Sequence, residues 1–320
     1  MELDIEFHKL SLDYVESVNK RLPPDTIPKD CKQIIQCGDI VYCALVVEEY
    51  VVAAHPHTRS IQVYSRTGQI MRSIDVDAEE VWEMVRVGSD KILCASAEPK
   101  GFVVVDWKTG VVLNKISHTS SVTVGGHNTL LCFGPSMQYL AACMFDGTLT
   151  VWDISVQGGK IIKQFKNDEG HWTTCVEVLP NGKLITGNSN GELHIWDFKS
   201  CSMEATLHGH KGPINCARLL SSNLLVTGGF DRSIQLWDIN NKSRTRVVCT
   251  GSGSIRQIYA VSTNYIYSVS TDNTLRLWEL SQNQCVKTLK GHSLDVVSVD
   301  VSKDGIIVSA SKDKTIRLWM

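Results

Sequence analysis

Residues 291–319, GHSLDVVSVDVSKDGIIVSASKDKTIRLW, decide the architecture. DVVSVDV reads as a strand, Lys303-Asp304-Gly305 as a tight turn and IIVSAS as a second strand. The polar turn Lys312-Asp313-Lys314 then leads into TIRLW. These runs are short, β-branched and bounded by Asp, Gly and Lys, which is the pattern of antiparallel hairpins. CVKTL, residues 285–289, adds a strand just before Gly291-His292, so one period supplies four strands.

The ending of this segment recurs. RSIQVY, GFVVVD, GTLTVW, GELHIW, RSIQLW, NTLRLW and KTIRLW follow one another at intervals of 41 to 46 residues. They set Tyr64, Asp106, Trp152, Trp196, Trp237, Trp278 and Trp319 at one equivalent position. A period of this length marks an array of one supersecondary unit that buries its apolar faces only by stacking on copies of itself. Glycine-histidine pairs occur at Gly209-His210 and Gly291-His292, and Trp-Asp endings at Trp152-Asp153, Trp196-Asp197 and Trp237-Asp238. With the spacing, these make residues 31–320 resemble the WD-repeat family. The resemblance implies an all-β fold, a single seven-bladed β-propeller with four-stranded antiparallel blades.

The chain stops one residue after Trp319, in the third strand of the last blade, which would leave a long strand edge exposed. Counting back, residues 31–35 (CKQII) hold the register that residues 285–289 hold before their own following blade. The expectation is that residues 31–35 complete the last blade and close the ring. Residues 1–30 then form an N-terminal extension. In it Tyr14, Val15, Val18 and Leu22 are spaced for one face of a short helix that stops at Pro23-Pro24.

Composition narrows the class. Formal net charge is −2 and 43% of residues are apolar, enough for a large core. No apolar run is long enough to span a membrane, and the acidic start MELDIEFHKL is neither a signal nor a transit peptide. The eleven cysteines are scattered, odd in number and without a CxxC pair. They read as small buried hydrophobes in a reducing compartment, cytoplasmic and/or nuclear. Charge is uneven: residues 1–100 carry 11 basic and 17 acidic side chains, residues 201–320 carry 14 and 9. The basic part contains no Lys/Arg run, so nucleic acid is not the expected partner.

Members of the family link a His, a Ser/Thr, an Asp and the Trp by hydrogen bonds. The matching sets here are His210, Thr227, Asp231 and Trp237, and His292, Ser309, Asp313 and Trp319. Ser, His and Asp together suggest a hydrolase, but a set that recurs on repeated structural units holds those units together. Blade six has Gly251 in place of the His, and blades one and two lack nearly the whole set, with Thr58 and Lys100 where the Asp is expected. No phosphate loop, HExxH, calcium loop or nucleophile elbow occurs. His55, His57 and His118 lack companion ligands at zinc-like spacing. No cofactor, metal or small-molecule substrate is expected.

Large side chains where the repeat needs none are the remaining candidates. Phe145 and Phe230 precede the turn acids Asp146 and Asp231. Trp82 and Trp172 share one register, 24 residues before their blades' endings; they either fill inter-blade packing or face a partner. Arg256 begins blade six's innermost strand, and Lys312 sits in the last blade's turn. In the family these positions border the channel mouth that receives partner peptides, and aromatic and Arg side chains are enriched in interface hot spots. The function expected is a non-enzymatic scaffold for protein partners within a multiprotein complex. Its narrower form is a substrate-recognition subunit of a ubiquitin ligase, because the short first turns resemble those of F-box/WD-repeat proteins. Lower alternatives are a subunit of an RNA-associated complex and a propeller enzyme. The enzyme would need polar residues gathered on innermost strands, which here are mostly apolar apart from Glu177, Arg218 and Asp300.

Overall fold

A computed structural model describes residues 30–98, 100–119, 129–133, 137–166, 170–179, 182–249 and 251–320. The expected N-terminal helix lies outside the described residues. Within them, 28 strands form seven four-stranded sheets, the blades of a propeller. The first strand, β1 (Cys31–Gln36), belongs to the last blade. Blade one holds β2 (Cys43–Val47), β3 (Tyr50–Ala54), β4 (Ser60–Ser65) and β5 (Ile70–Asp75). Blade two holds β6 (Glu79–Val87), β7 (Lys91–Glu98), β8 (Gly101–Asp106) and β9 (Val111–Ser117). Blade three holds β10 (Leu130–Phe133), β11 (Tyr139–Cys143), β12 (Thr148–Asp153) and β13 (Lys160–Lys166). Blade four holds β14 (Thr173–Leu179), β15 (Lys183–Asn188), β16 (Glu192–Asp197) and β17 (Met203–His208). Blade five holds β18 (Ile214–Leu219), β19 (Leu224–Gly229), β20 (Ser233–Asp238) and β21 (Ser243–Cys249). Blade six holds β22 (Ile255–Ala260), β23 (Tyr265–Ser270), β24 (Leu275–Glu279) and β25 (Gln284–Leu289). Blade seven holds β26 (Val296–Val301), β27 (Ile307–Ser311), β28 (Thr315–Trp319) and β1.

Ring closure follows the register read from the sequence. β1 runs antiparallel to β28, with Ile35 opposite Ile316 and Gln36 opposite Thr315. Leu289 stands opposite Leu275 in the same way in blade six. The innermost strands pack in a circle, β2 on β6 and so on to β22 on β26, and β26 packs back on β2. The core divides accordingly. Each of seven apolar clusters is shared by two consecutive blades, and the one holding Ile35, Val308 and Leu318 also holds Val46, Val51 and Tyr64 of blade one.

An innermost strand is a sheet edge, so its outward backbone groups need partners from the next blade. Side chains supply them. Asp300 accepts the Val46 N–H at 2.8 Å, and Gln257 Oε1 accepts that of Val299 at 2.6 Å. Glu177 accepts the Leu219 N–H at 3.3 Å, and Glu83 accepts that of Thr129 at 3.2 Å. The Asn215 amide donates to the Ile255 carbonyl at 2.7 Å and the Thr174 hydroxyl to that of Ile214 at 2.5 Å. Arg86 of blade two adds bonds to the Val46 carbonyl and to Asp300, tying together blades seven, one and two. Glu177 and Asp300, exceptions in otherwise apolar strands, thus stitch blades.

Two alignments made from sequence slip, the first by one residue and the second by two. In blade three Leu140 pairs with Trp152 and Tyr139 with Asp153, whereas in blade two Ile92 pairs with Val105 and Lys91 with Asp106. Val105 therefore takes the tryptophan's place, and Asp106 is the acid that follows it. Asp106 accepts the Thr109 N–H at 2.8 Å as Asp197 accepts that of Ser200 at 2.7 Å. The apolar run GFVVVDW hides the frame, because Trp107 is also buried, one place further on, beside Tyr50. The second slip concerns Trp82 and Trp172, which do not share a register. Each of β6, β14, β18, β22 and β26 carries a one-residue bulge. Trp82 is the bulge residue of β6 and matches Thr174, Asn215 and Arg256, while Trp172 lies two residues before its own bulge.

Candidate functional site

Antiparallel blades place two kinds of segment at the same end of the channel. These are the stretches leading into each innermost strand and the turns joining second strands to third strands. This mouth face gathers Phe145, Trp172, Phe230 and Lys312, with Trp82 and Arg256 near the starts of their strands.

Phe145, in the turn between β11 and β12, packs its ring 5.2 Å from that of Trp172, which leads into β14. Trp172 is 51% exposed and Phe230, between β19 and β20, is 58% exposed. The backbone around them is satisfied without the rings: the Ser189 N–H donates to the Trp172 carbonyl and the Phe230 N–H to that of Pro213. Trp82 is partly buried and stacks on Tyr42 at 4.6 Å. Tyr42 precedes β2 as a bulge residue would, its N–H donating to Ala54, so equivalent positions of blades one and two form this pair. The sequence reading missed Tyr42, whose role depends on a bulge that no local pattern reveals. It also missed Leu294, which is exposed in the segment leading into β26.

Arg256 and Lys312 meet over one carboxylate. Asp295 Oδ2 lies 3.8 Å from the Arg256 guanidinium and 3.0 Å from Lys312 Nζ. The structure therefore joins these two predicted residues to each other, while Phe145 and Trp172 form a separate aromatic pair.

The four-residue networks are structural in geometry. In blade five Trp237 Nε1 donates to Thr227 Oγ1 at 2.8 Å, whose hydroxyl is 2.7 Å from His210 Nε2. That network assigns the imidazole proton to Nδ1, which donates to Asp231 at 2.9 Å. Blade seven repeats it: Trp319 to Ser309 at 2.9 Å, Ser309 to His292 at 2.8 Å and His292 to Asp313 at 2.9 Å. The hydroxyl oxygen of each set is fully engaged and buried beneath the imidazole. Burial raises the Asp313 carboxyl, but hydrogen bonds from His292, Thr315 and Ser293 outweigh it and hold the pKa well below the carboxylate range. In blade six Trp278 donates to Ser268 at 2.9 Å, and Arg276 bonds Asp272 in the absence of a histidine. Blade one builds another version, in which the Tyr64 hydroxyl meets His55 and Gln62.

The thiols of Cys43 and Cys216 face apolar surroundings, and burial pushes both up to about 12, so they are inert at neutral pH. Among the described residues no group of three or more His, Cys, Asp or Glu side chains is placed to hold a metal ion, and no helix is long and apolar enough to cross a membrane. What the mouth face offers chemically is exposed aromatic surface beside cations.

Comparison with known proteins agrees with the fold. Residues 113–153, 159–197, 201–238 and 283–320 match the WD40 family, described as WD domain, G-beta repeat. Pre-mRNA-processing factor 19 homolog 2 of Arabidopsis thaliana is 28% identical over 159 residues, covering 46% of this chain and 28% of that protein. Pre-mRNA-processing factor 19 of Homo sapiens is 22% identical over 213 residues, 52% of this chain and 40% of its own length. Protein Atg16l2 of Mus musculus is 30% identical over 92 residues, 28% and 14% respectively. The chain thus spans less than half the length of these relatives.

Proposed function

Because the chain belongs to the WD40-repeat family, whose propellers typically bind proteins, we propose that it is a non-enzymatic scaffold receiving partner peptides or domains on the mouth face. One observation carries this reading. Phe145, Trp172 and Phe230 expose large aromatic surface in turns whose hydrogen bonding does not use them, and such surface on a folded protein marks an interaction site. The inner-strand acids weigh against the enzyme alternative, since Glu83, Glu177 and Asp300 are buried in bonds that hold neighbouring blades. In this reading residues 1–30 are an extension to a propeller of residues 31–320, and the protein works in the cytoplasm, the nucleus or both.

Similarity to proteins named pre-mRNA-processing factor 19 favours a narrower second reading, a subunit of an RNA-processing complex. Recognition of ubiquitin-ligase substrates is the other narrow form; the short first turns support it, and Arg256 and Lys312 at the mouth are the cations it would use. The deciding experiment is affinity capture with wild-type protein beside a Trp172→Ala, Phe230→Ala variant of unchanged thermal midpoint. Loss of specific partners from the variant is expected. Recovery of the same partners by both would move the binding surface elsewhere.

A further inference from the structure

The charges of the mouth face are sorted by the same networks that hold the blades. In the turns of blades five, six and seven, Asp231, Asp272 and Asp313 face inward, with side chains no more than 10% exposed. Each is held by a partner within its own blade: His210, Arg276 and His292 respectively. Asp295 is the only other carboxylate of these turns, and it sits between Arg256 and Lys312. The cations point the other way. Lys211, Arg232 and Lys314 are exposed, and Lys312 and Arg256 are partly so. Solvent above these three blades therefore meets a positive surface, although their sequence has nearly as many acids as bases in the same turns.

The apolar part of the face adjoins it. Phe145 and Trp172 lie over blades three and four, Phe230 rises beside Lys211 and Arg232, and Leu294 stands among the cations of blade seven. On the other flank, the turns of blades one and two mix Asp39, Asp77 and Glu80 with Arg59 and Lys100, and Asp77 is paired with both Arg59 and Lys115. We infer that the segment bound here is an acidic peptide with an apolar anchor, its anchor between Trp172 and Phe230 and its carboxylates over blades five to seven. The inference deepens the scaffold reading and rests on it. Charge complementarity sets the orientation, because the cations of blades five to seven attract the anionic part. A nucleic acid alternates base and phosphate at every nucleotide and needs aromatic residues interleaved with cations. Here Phe145 and Trp172 lie on blades three and four, away from the cations, and of the three exposed aromatics Phe230 alone stands beside them, which suits a chain with separate apolar and acidic parts.

The test is fluorescence anisotropy with three labelled probes. These are a short peptide with one Trp and one Leu followed by a Glu/Asp run, its Gln/Asn counterpart, and an oligouridylate. The acidic peptide should bind at least about tenfold more tightly than the amide version, a difference of about 1.4 kcal/mol. Its affinity should fall as salt screens the charges. A Lys211→Glu, Lys312→Glu variant should weaken it by a similar factor, whereas Lys303→Glu at the opposite end of the channel should not. Both variants change solvent-side charges, and their thermal midpoints serve as the folding check. Equal binding of the two peptides, or tighter binding of the oligouridylate, overturns the inference. If the aromatic double variant loses its captured partners while the acidic peptide fails to bind wild type, the scaffold reading stands and the acidic-ligand one falls.

Discussion

Arg276 bonds Asp272 at 2.7 Å in blade six, in the space where blades five and seven place a histidine. Gly251 occupies the histidine's position, and a Cβ there would come 3.5 Å from the guanidinium. The arginine thus reaches back along the blade to neutralise an acid that the fold retains for its turn, where Asp272 also accepts from the Thr274 hydroxyl. Arg276→Ala leaves that carboxylate without its charged partner. Unfolding stability should drop by about 1–3 kcal/mol, the usual cost of an unpaired buried polar group. Urea denaturation measures it, and an unchanged midpoint would show that Arg276 does not replace the histidine.

Acid should weaken the protein in two stages. Burial lowers the His292 pKa below its ordinary 6.5, although Asp313 opposes the shift, and burial lowers His55 in the same direction. The unfolded chain then takes up these protons first, so their contribution is complete above pH 6.5 and shrinks as pH falls below it. The Asp231 and Asp313 carboxyls lie below their ordinary 3.8, so the stability they contribute is present above that value and is lost as pH falls further. Thermal midpoints measured from neutral pH downward should fall in both windows. His292→Gln should flatten the first, and a profile unchanged by that substitution would contradict the burial of a neutral imidazole.

Gly187 and Gly228 occupy equivalent sites in blades four and five, each opposite an inner-strand cysteine. The reason is steric. A Cβ on Gly228 would sit 2.5 Å from Ile255 Cγ2 and 2.9 Å from Cys216 Sγ. Gly228→Ala should cost about 1–3 kcal/mol through overpacking. Ile255→Leu on the same background should recover part of the loss by removing the Cγ2 branch that the new Cβ meets. Full stability of Gly228→Ala alone would mean that the blades can separate without penalty.

The strand count, the closing register of residues 31–35 and the two complete networks were legible because each repeats a local pattern at a fixed period. Blade two was misread by one residue for the opposite reason: Val103, Val104 and Val105 offer no landmark, and Trp107 imitates one. Trp82 and Trp172 separated because the ending they were counted from is misplaced by one residue in blade two and the turn between β7 and β8 is one residue longer than that between β15 and β16. The roles of Glu177 and Asp300 were out of reach, since their partners are backbone N–H groups of the next blade, about one period away in sequence or across the closure. Their polarity could be read, but not its use.

Closure makes the sharpest demand. β1 covers the edge of β28, and Ile35, 1% exposed, belongs to the cluster between blades seven and one. β28 is paired on its other side with β27, so among the described residues β1 supplies its second edge. Ile35→Ala removes buried apolar volume at the junction and should cost about 2–5 kcal/mol, as for other large-to-small core substitutions. Deleting residues 1–36 goes further: it also strips β28 of its hydrogen-bond partner and leaves a flat edge open to other chains. The deletion variant should therefore melt below Ile35→Ala and elute as oligomer in size-exclusion chromatography. If it stays monomeric with the wild-type midpoint, the ring is held by contacts among the innermost strands alone and β1 is dispensable.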